Sequence, residues 1–235
     1  MQRVFSMGLL YKDRFRNFLT AVFLIAFGLT CISPPYLTDF LLQHILTVIA
    51  IFAIWYSDRF IHFSRFAFFC LLVFLFLHIL GARYLYSNVP YDEWWKTLFG
   101  FSIQELYGFQ RNHYDRLVHF MYGLLMFFPA REMFDRFWKV KKPWSYPLAV
   151  ETIMATSAVY ELMEWGVAVV LSPETAEAYN GQQGDIWDSQ KDMLMALSGA
   201  VLAMTTAFIW NRLEDTKTQI KPSSKARLHG RRDLE

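Results

Sequence analysis

The chain has few of the features that mark a soluble or disulfide-stapled domain. Only 19% of its 235 residues are charged, the formal net charge is +2, and there are two cysteines. A net charge this close to zero provides no global field for nucleic acid, so we expect no nucleic-acid partner. Cys31 and Cys70 fall in different predicted spans, so we expect packing roles rather than a disulfide. We find no internal repeat and no soluble domain.

What the chain has instead is apolar sequence. Hydrophobic residues make up 54% and aromatic residues 18%, with a mean hydropathy of +0.21. They form runs of roughly 16 to 25 residues, enough to cross a hydrocarbon core about 30 Å thick. Membrane β-barrels need alternating rather than solid apolar runs. We therefore predict an all-α polytopic membrane protein, one bundle of about six helices. The predicted spans are 17–33, 39–56, 65–84, 116–130, 146–171 and 190–210, within one domain over 1–212.

Basic residues predict the orientation of these spans. The segments SPPYLTD and SPETAEAYNGQQGD contain no Lys or Arg, whereas the alternate loops are basic. Because basic loops stay inside, both termini are predicted to be cytoplasmic, as in a bacterial inner-membrane protein. No A-x-A-like cleavage site follows the first apolar run, so we expect no cleavable signal peptide. The basic tail, 213–235, is predicted to be cytoplasmic and disordered.

A long aromatic loop, 85–115, interrupts the pattern because it is predicted to be outside and yet carries Arg111. Its segment YDEWWKTLFGFSIQELYGF is rich in Trp, Tyr and Phe. Such rings settle at the headgroups, which predicts an interfacial helix in contact with membrane lipids. A lid over a site is the alternative.

The predicted topology gathers ionisable residues from five spans into the outer half of the membrane. Asp115 and His119 are four residues apart, and Glu161 and Glu164 three apart, so each pair shares a helix face. A charged group facing lipid would cost about 2.5–3.5 kcal/mol, so these faces should point into the bundle. The other members are His44, His78, Arg83, His113, Asp185, Asp188 and Asp192.

These residues form a candidate site, with roles assigned by chemistry. A carboxylate beside an imidazole raises its basicity, which serves a general base or a metal ligand. The catalytic candidates are Asp115, His119, Glu161, Glu164 and Asp192. The substrate-binding candidates are Arg111, Arg116, His113, Asp185, Asp188 and Lys191. A mixed His and carboxylate set suits Zn, Mn or Fe, so a divalent metal is possible. The metal candidates are His119, Glu161, Glu164 and Asp188, although no HExxH signature is present.

Structural roles are open for the same residues. Asp185 and Asp188 could cap the last span, where carboxylates suit the helix dipole. Arg111 and Arg116 could extend to the headgroups. Glu161 and Glu164 could be protonated, or paired with Arg116 or Lys191. His44 and His78 could be packing residues.

Three motifs carry a resemblance to known families. YDRLVHFMYGLL, SAVYELMEWGVAV and GDIWDSQKDMLMALSGAVLA resemble the YjdF-like family of bacterial inner-membrane proteins. The order of the motifs is also similar to that of VanZ-like proteins, through Asp115, Arg116, His119 and Phe120, then Glu161 or Glu164, then Asp192 and Gly199. The Asn of the third VanZ-like motif is not evident here. VanZ-like proteins are associated with glycopeptide resistance, but the resemblance implies location and topology rather than an activity.

Three functions stay open from the sequence. The first is an enzyme-like His/carboxylate site acting on a lipid or lipid-linked substrate at the outer leaflet. The second is an ion- or proton-linked transporter, disfavoured because the inner half of the bundle is poor in ionisable residues. The third is a scaffold or partner-binding protein whose polar cluster locks the bundle. The sequence identifies no protein partner and no oligomeric state.

Overall fold

The computed structural model describes residues 13–170 and 181–220, with side chains described to residue 217. The described part of the chain is mostly helical and contains no strand. The helices are α1 (Arg14–Thr30), α2 (Leu37–Ile61), α3 (Arg65–Tyr84), α4 (Tyr91–Phe99), α5 (Ile103–Tyr107), α6 (Tyr114–Glu132), α7 (Ser145–Val170) and α8 (Asp188–Ile220). A π-helical turn, Met133–Phe137, follows α6.

The six long helices correspond to the six predicted spans. Helices α2, α3, α7 and α8 are long and apolar enough to cross a membrane by length and composition. Helix α1 has 17 residues, and α6 has 19 residues with charges at both ends. Helix α8 continues through residues 213–220, which the sequence placed in a disordered tail; this prediction is wrong for those eight positions. Residue 171 and residues 221–235 lie outside the described part of the chain.

Local signals explain where the helices begin and end. The Ser64 hydroxyl accepts a hydrogen bond from the Ala67 backbone at 3.1 Å and starts α3. His62, in the left-handed conformation, ends α2. Pro147 lies in the first turn of α7, where its missing N–H costs no helix bond. Asp92 accepts hydrogen bonds from the Ile103 and Gln104 backbones and so ties α5 to α4.

Helix α6 occupies the centre of the bundle, packed against α3, α7 and α8. On the face of α3 away from α6, α1 packs against α3. The core between them contains Phe23, Phe68, Leu72, Leu75 and Ile79. A second core lies between α6, α7 and α8 and contains Phe127, Tyr146, Ala149, Ala203 and Ala207. The aromatic loop forms α4 and α5, which bury no side chain, and its large apolar side chains face outward: Trp94, Leu98, Phe99 and Leu106 are exposed.

The antiparallel helices define two ends of the bundle. One end contains the start of α6 and of α8, and we call it the Arg111 end. The opposite end contains the turn between α2 and α3, where Arg16 pairs with Asp58 at 2.7 Å; we call it the Asp58 end. The basic-residue pattern predicts that the Arg111 end faces outside.

Candidate functional site

Two glycines bring α6 and α8 unusually close together. A Cβ on Gly123 would lie 2.8 Å from the Ala200 nitrogen and closer still to the Ala196 carbonyl oxygen. A Cβ on Gly199 would likewise collide with the Phe120 carbonyl oxygen. Small residues at helix contacts let backbones approach in membrane proteins. This approach places the polar first turns of the two helices face to face at the Arg111 end.

The close approach of α6 and α8 forms a charged cluster, which contains Arg111, Arg116, Asp185, Asp188 and Lys191. The Arg111 guanidinium donates to Asp188 Oδ1 at 2.6 Å and to the Gln182 carbonyl at 3.0 Å. Arg116 pairs closely with Asp185 and lies 3.3 Å from Asp188 Oδ1. Both arginines are therefore held against the bundle by aspartates rather than extended away from it.

The charged cluster also sets the titration of its neighbours. The Lys191 ammonium, 2.6 Å away, is the main group that lowers the pKa of Asp185 to about 2, with Arg116 adding to it. Burial lowers the pKa of His113, and the positive charges of Arg116 and Arg111 lower it further. Asp185 is therefore ionised and His113 neutral near neutral pH. Asp185 Oδ1 also accepts from the Trp187 backbone at 3.1 Å, a capping contact before α8.

A second cluster lies one turn deeper and contains Asp115, His119, Glu161 and Asp192; we call it the His119 cluster. His119 Nε2 lies 3.7 Å from Asp115 Oδ1 and 3.8 Å from Glu161 Oε1. Asp115, His119 and Asp192 each offer a ligand atom, all within 4.8 Å of one another. All four side chains are buried. Three helices thus converge on one imidazole.

Glu164 lies at the edge of this cluster. It is partly exposed, one turn beyond Glu161 on α7, and interacts electrostatically with Asp115, Glu161 and Asp192. Ser189 and Glu164 both approach the Glu161 carboxylate. Neither Glu161 nor Glu164 forms an ion pair with Arg116 or Lys191 in the described part of the chain, because those cations pair with Asp185. The hypothesis of that pairing is wrong.

Two further histidines occupy separate positions. His78 Nε2 is 2.6 Å from the Thr47 hydroxyl, and its Nδ1 is 2.5 Å from the Tyr86 hydroxyl. His44 stacks between Phe40 and Phe27, with ring centroids 4.0 and 5.1 Å away. By these contacts His44 is a packing residue, whereas His78 is hydrogen-bonded and also lines the cavity beside the His119 cluster. Arg83 donates to the Thr30 carbonyl at 2.5 Å, so it closes the end of α1 and stays away from the His119 cluster.

An apolar cavity of about 460 Å³ opens beside the His119 cluster. Its polar wall includes Asp115, His119, His78, Tyr122 and Tyr160, and its apolar wall includes Leu46, Ala50, Phe74, Val118, Val159 and Met163. Ligand pockets are commonly about 300–1,000 Å³. Val159 and Met163 are exposed on α7, so one side of the cavity opens laterally, toward the space that lipid fills around a membrane bundle.

The chain matches a known protein family over most of its length. The model of a family described as predicted membrane protein (DUF2238) matches residues 15–213. The chain belongs to this family. It is similar to the inner membrane protein YjdF of Escherichia coli (strain K12), with 39% identity over 132 residues that cover 54% of this chain and 59% of that relative. No solved structure matches the chain.

These matches confirm the YjdF-like resemblance, and the likeness to VanZ-like proteins stays a prediction. Together with the apolar helices, they show a multi-pass inner-membrane protein. The match covers less than two thirds of that relative. The activity, substrate and partners of this chain therefore do not follow from the comparison.

Sequence reasoning missed part of what the structure assembles. The hydroxyls of Tyr122 and Thr156, 2.6 Å apart, line the cavity, and no spacing rule distinguishes them from ordinary helix residues. It also missed the Asp58 end, where Glu132 accepts from the Ser64 backbone at 2.7 Å and Asp58 accepts from the Phe63 backbone at 2.8 Å. The spans have few ionisable groups in the inner half of the bundle. The Asp58 end, where those spans finish, has several.

Proposed function

We propose that this protein binds an amphiphilic lipid or lipid-linked molecule at the outer leaflet and acts on its polar part through the His119 cluster. The single observation that supports this most is the combination of a lateral apolar cavity with a buried imidazole and carboxylates in its wall. A soluble substrate needs no lateral apolar opening. A lipid needs one, because its tail stays in hydrocarbon while its polar part reaches the protein.

The charged cluster at the mouth of the site has an excess of positive charge, which favours an anionic polar part. Arg111, Arg116 and Lys191 carry three positive charges, whereas Asp185 and Asp188 carry two negative charges. Arginine binds phosphate and carboxylate groups with paired hydrogen bonds. Arg111 Nε and Arg116 Nε are buried and have no hydrogen-bond partner among the described residues, so each guanidinium has an unsatisfied donor.

The His119 cluster supplies acid–base groups at the depth where the polar part would rest. Imidazole titrates near neutral pH, and an adjacent carboxylate fixes its tautomer. The Nε2–Oδ1 distance of 3.7 Å from His119 to Asp115 is longer than a hydrogen bond, and such contacts commonly tighten when substrate binds. His119 would hold or move a proton, while Asp115 and Glu161 orient it.

A transport path through the membrane is less well supported than a binding or reaction site at one leaflet. Below the His119 cluster, Ile153, Ala196 and Ala200 form a buried apolar core, with Tyr122 packed at its edge. The larger core around Phe127 continues it toward the Asp58 end. These layers oppose the passage of an ion, which favours chemistry or binding at one leaflet over transport.

Lipid retention by purified protein tests the proposal. Native mass spectrometry should detect retained phosphatidylglycerol in preference to phosphatidylcholine. Ala50 lines the cavity, so Ala50→Trp should fill it and reduce retention about tenfold or more, since roughly 1.4 kcal/mol is a factor of ten. Ile49→Trp is the matched control, because Ile49 is exposed on the same helix and lies outside the cavity.

The arms of the experiment separate the candidate functions. Equal retention by wild type, Ala50→Trp and Ile49→Trp would reject the cavity as a lipid site. Retention that is independent of headgroup charge would reject the role of the arginines. Binder and enzyme differ in the fate of the lipid: chemical change of the retained molecule in wild type, absent in His119→Gln, supports catalysis.

A further inference from the structure

We propose that Asp115, His119 and Asp192 bind one divalent transition-metal ion, with Glu161 as a fourth ligand. The inference rests on the proposed function and refines it: the ion would lie where the polar part of the lipid is proposed to bind, and with the ion bound His119 would be a ligand rather than the group that moves a proton. It differs from the ligand set expected from the sequence, because Asp188 is paired with both arginines and Glu164 lies at the edge of the cluster.

The distances around His119 suit a metal better than direct hydrogen bonds. At 3.7 and 3.8 Å, the contacts of Nε2 with Asp115 and Glu161 are too long for hydrogen bonds. Nitrogen and oxygen ligands bound about 2.1 Å from a tetrahedral ion lie roughly 3.4 Å from one another. The two contacts of Nε2 therefore need only a few tenths of an ångström of contraction, and the ligand atoms of Asp115, His119 and Asp192, all within 4.8 Å of one another, must draw together by up to about 1.4 Å around an ion.

Unpartnered oxygens provide an independent observation. Asp192 Oδ1 and Glu161 Oε1 are completely buried and have no hydrogen-bond partner among the described residues. The exposed fractions of the two residues are 3% and 5%. A buried carboxylate oxygen without a partner is costly, and such groups are normally paired or coordinate a metal.

The charge balance gives the same result. Within the described ranges, no Lys or Arg lies at salt-bridge distance from Asp115, Glu161 or Asp192. The nearby cations are paired with Asp185 and Asp188. Three carboxylates around one imidazole thus lack a positive charge, which a divalent ion supplies. The mixed nitrogen and oxygen set favours Zn²⁺, Mn²⁺ or Fe²⁺ over Mg²⁺ or Ca²⁺, which prefer all-oxygen sites.

Metal titration of the full chain in detergent, without added lipid, tests the inference. After treatment with chelator, wild type should bind one equivalent of Mn²⁺ or Zn²⁺ per chain. His119→Ala and Asp192→Asn should weaken this binding by more than about 10–100-fold, the loss typical of removing an outer-shell partner alone. The matched controls are His62→Ala and Glu151→Gln, whose side chains are exposed and away from the cluster, and both should bind as wild type does.

Spectroscopy of wild type covers the case in which a variant fails to fold. Pulsed electron paramagnetic resonance of the Mn²⁺-loaded protein should detect one coordinated imidazole nitrogen. Absence of stoichiometric binding, equal binding by all four variants, or lack of the nitrogen coupling would each overturn the metal site. Because titration needs no lipid and lipid retention can be measured after chelation, failure of either proposal is recognised separately.

Discussion

Replacing Gly199 by alanine tests the contact on which the whole site depends. The added Cβ would lie 2.8 Å from the Leu124 nitrogen and 3.1 Å from the Phe120 carbonyl carbon. Carbon atoms in ordinary contact are about 3.5–4.0 Å apart, and the Phe120 carbonyl oxygen would be nearer still, so the two helices must separate by at least about 0.7 Å. The colliding atoms are all backbone, which leaves no flexible side chain to move away.

The magnitude follows from the cost of overpacking. An extra methyl group in a packed interior costs about 1–3 kcal/mol. Alanine has a helix propensity better than that of glycine by about 1 kcal/mol, which offsets part of the loss. Gly166→Ala removes this ambiguity, because a Cβ on Gly166 meets nothing within 4 Å and has only the propensity gain.

The assay compares the melting temperatures of the two alanine variants in one detergent. The difference should equal the overpacking cost, about 2–12 °C at the 2–4 °C per kcal/mol typical of chains this size. Gly123→Ala should behave like Gly199→Ala, since it collides with the Ala196 backbone. Equal melting temperatures for Gly199→Ala and Gly166→Ala would refute close packing of α6 on α8 and the convergence built on it.

Three further predictions concern orientation and charge. A reporter inserted after Gln182 should be active only outside and one after Lys141 only in the cytoplasm; the reverse at both positions would reject the predicted topology. Arg111→Met should destabilise the protein by up to about 3–5 kcal/mol, because it removes the closer of the two cations that pair with the buried Asp188 carboxylate. Lys96→Met, which removes an exposed pair, should cost at most about 1 kcal/mol; similar unfolding midpoints would contradict this. Because the pKa of Asp185 is lowered to about 2, its stabilising effect should be present above its unfolded value near 4 and be lost as pH falls toward 2. An Asp185→Asn variant with the same acid-unfolding profile as wild type would contradict that reasoning.

The sequence by itself determined the membrane class and the helices. Apolar runs of membrane-crossing length leave the α-helix as the way to satisfy the backbone, so α3 at Arg65–Tyr84 coincides with the predicted span. Periodicity also placed Asp115 and His119 on one face, since i and i+4 positions of a helix are neighbours whatever surrounds them. The end of α8 was missed, because a polar sequence can continue a helix that its apolar part has started.

Tertiary structure decided which charges pair. The sequence offered Arg116 and Lys191 as partners for Glu161, but the structure gives both cations to Asp185. The reason is steric: Gly123 and Gly199 bring α6 against α8, so the nearest carboxylates to Arg116 belong to the first turn of α8 and its preceding loop. Glu161, on α7, is left facing His119. Spacing along one helix fixes which residues share a face, whereas only the packing of three helices fixes which faces meet.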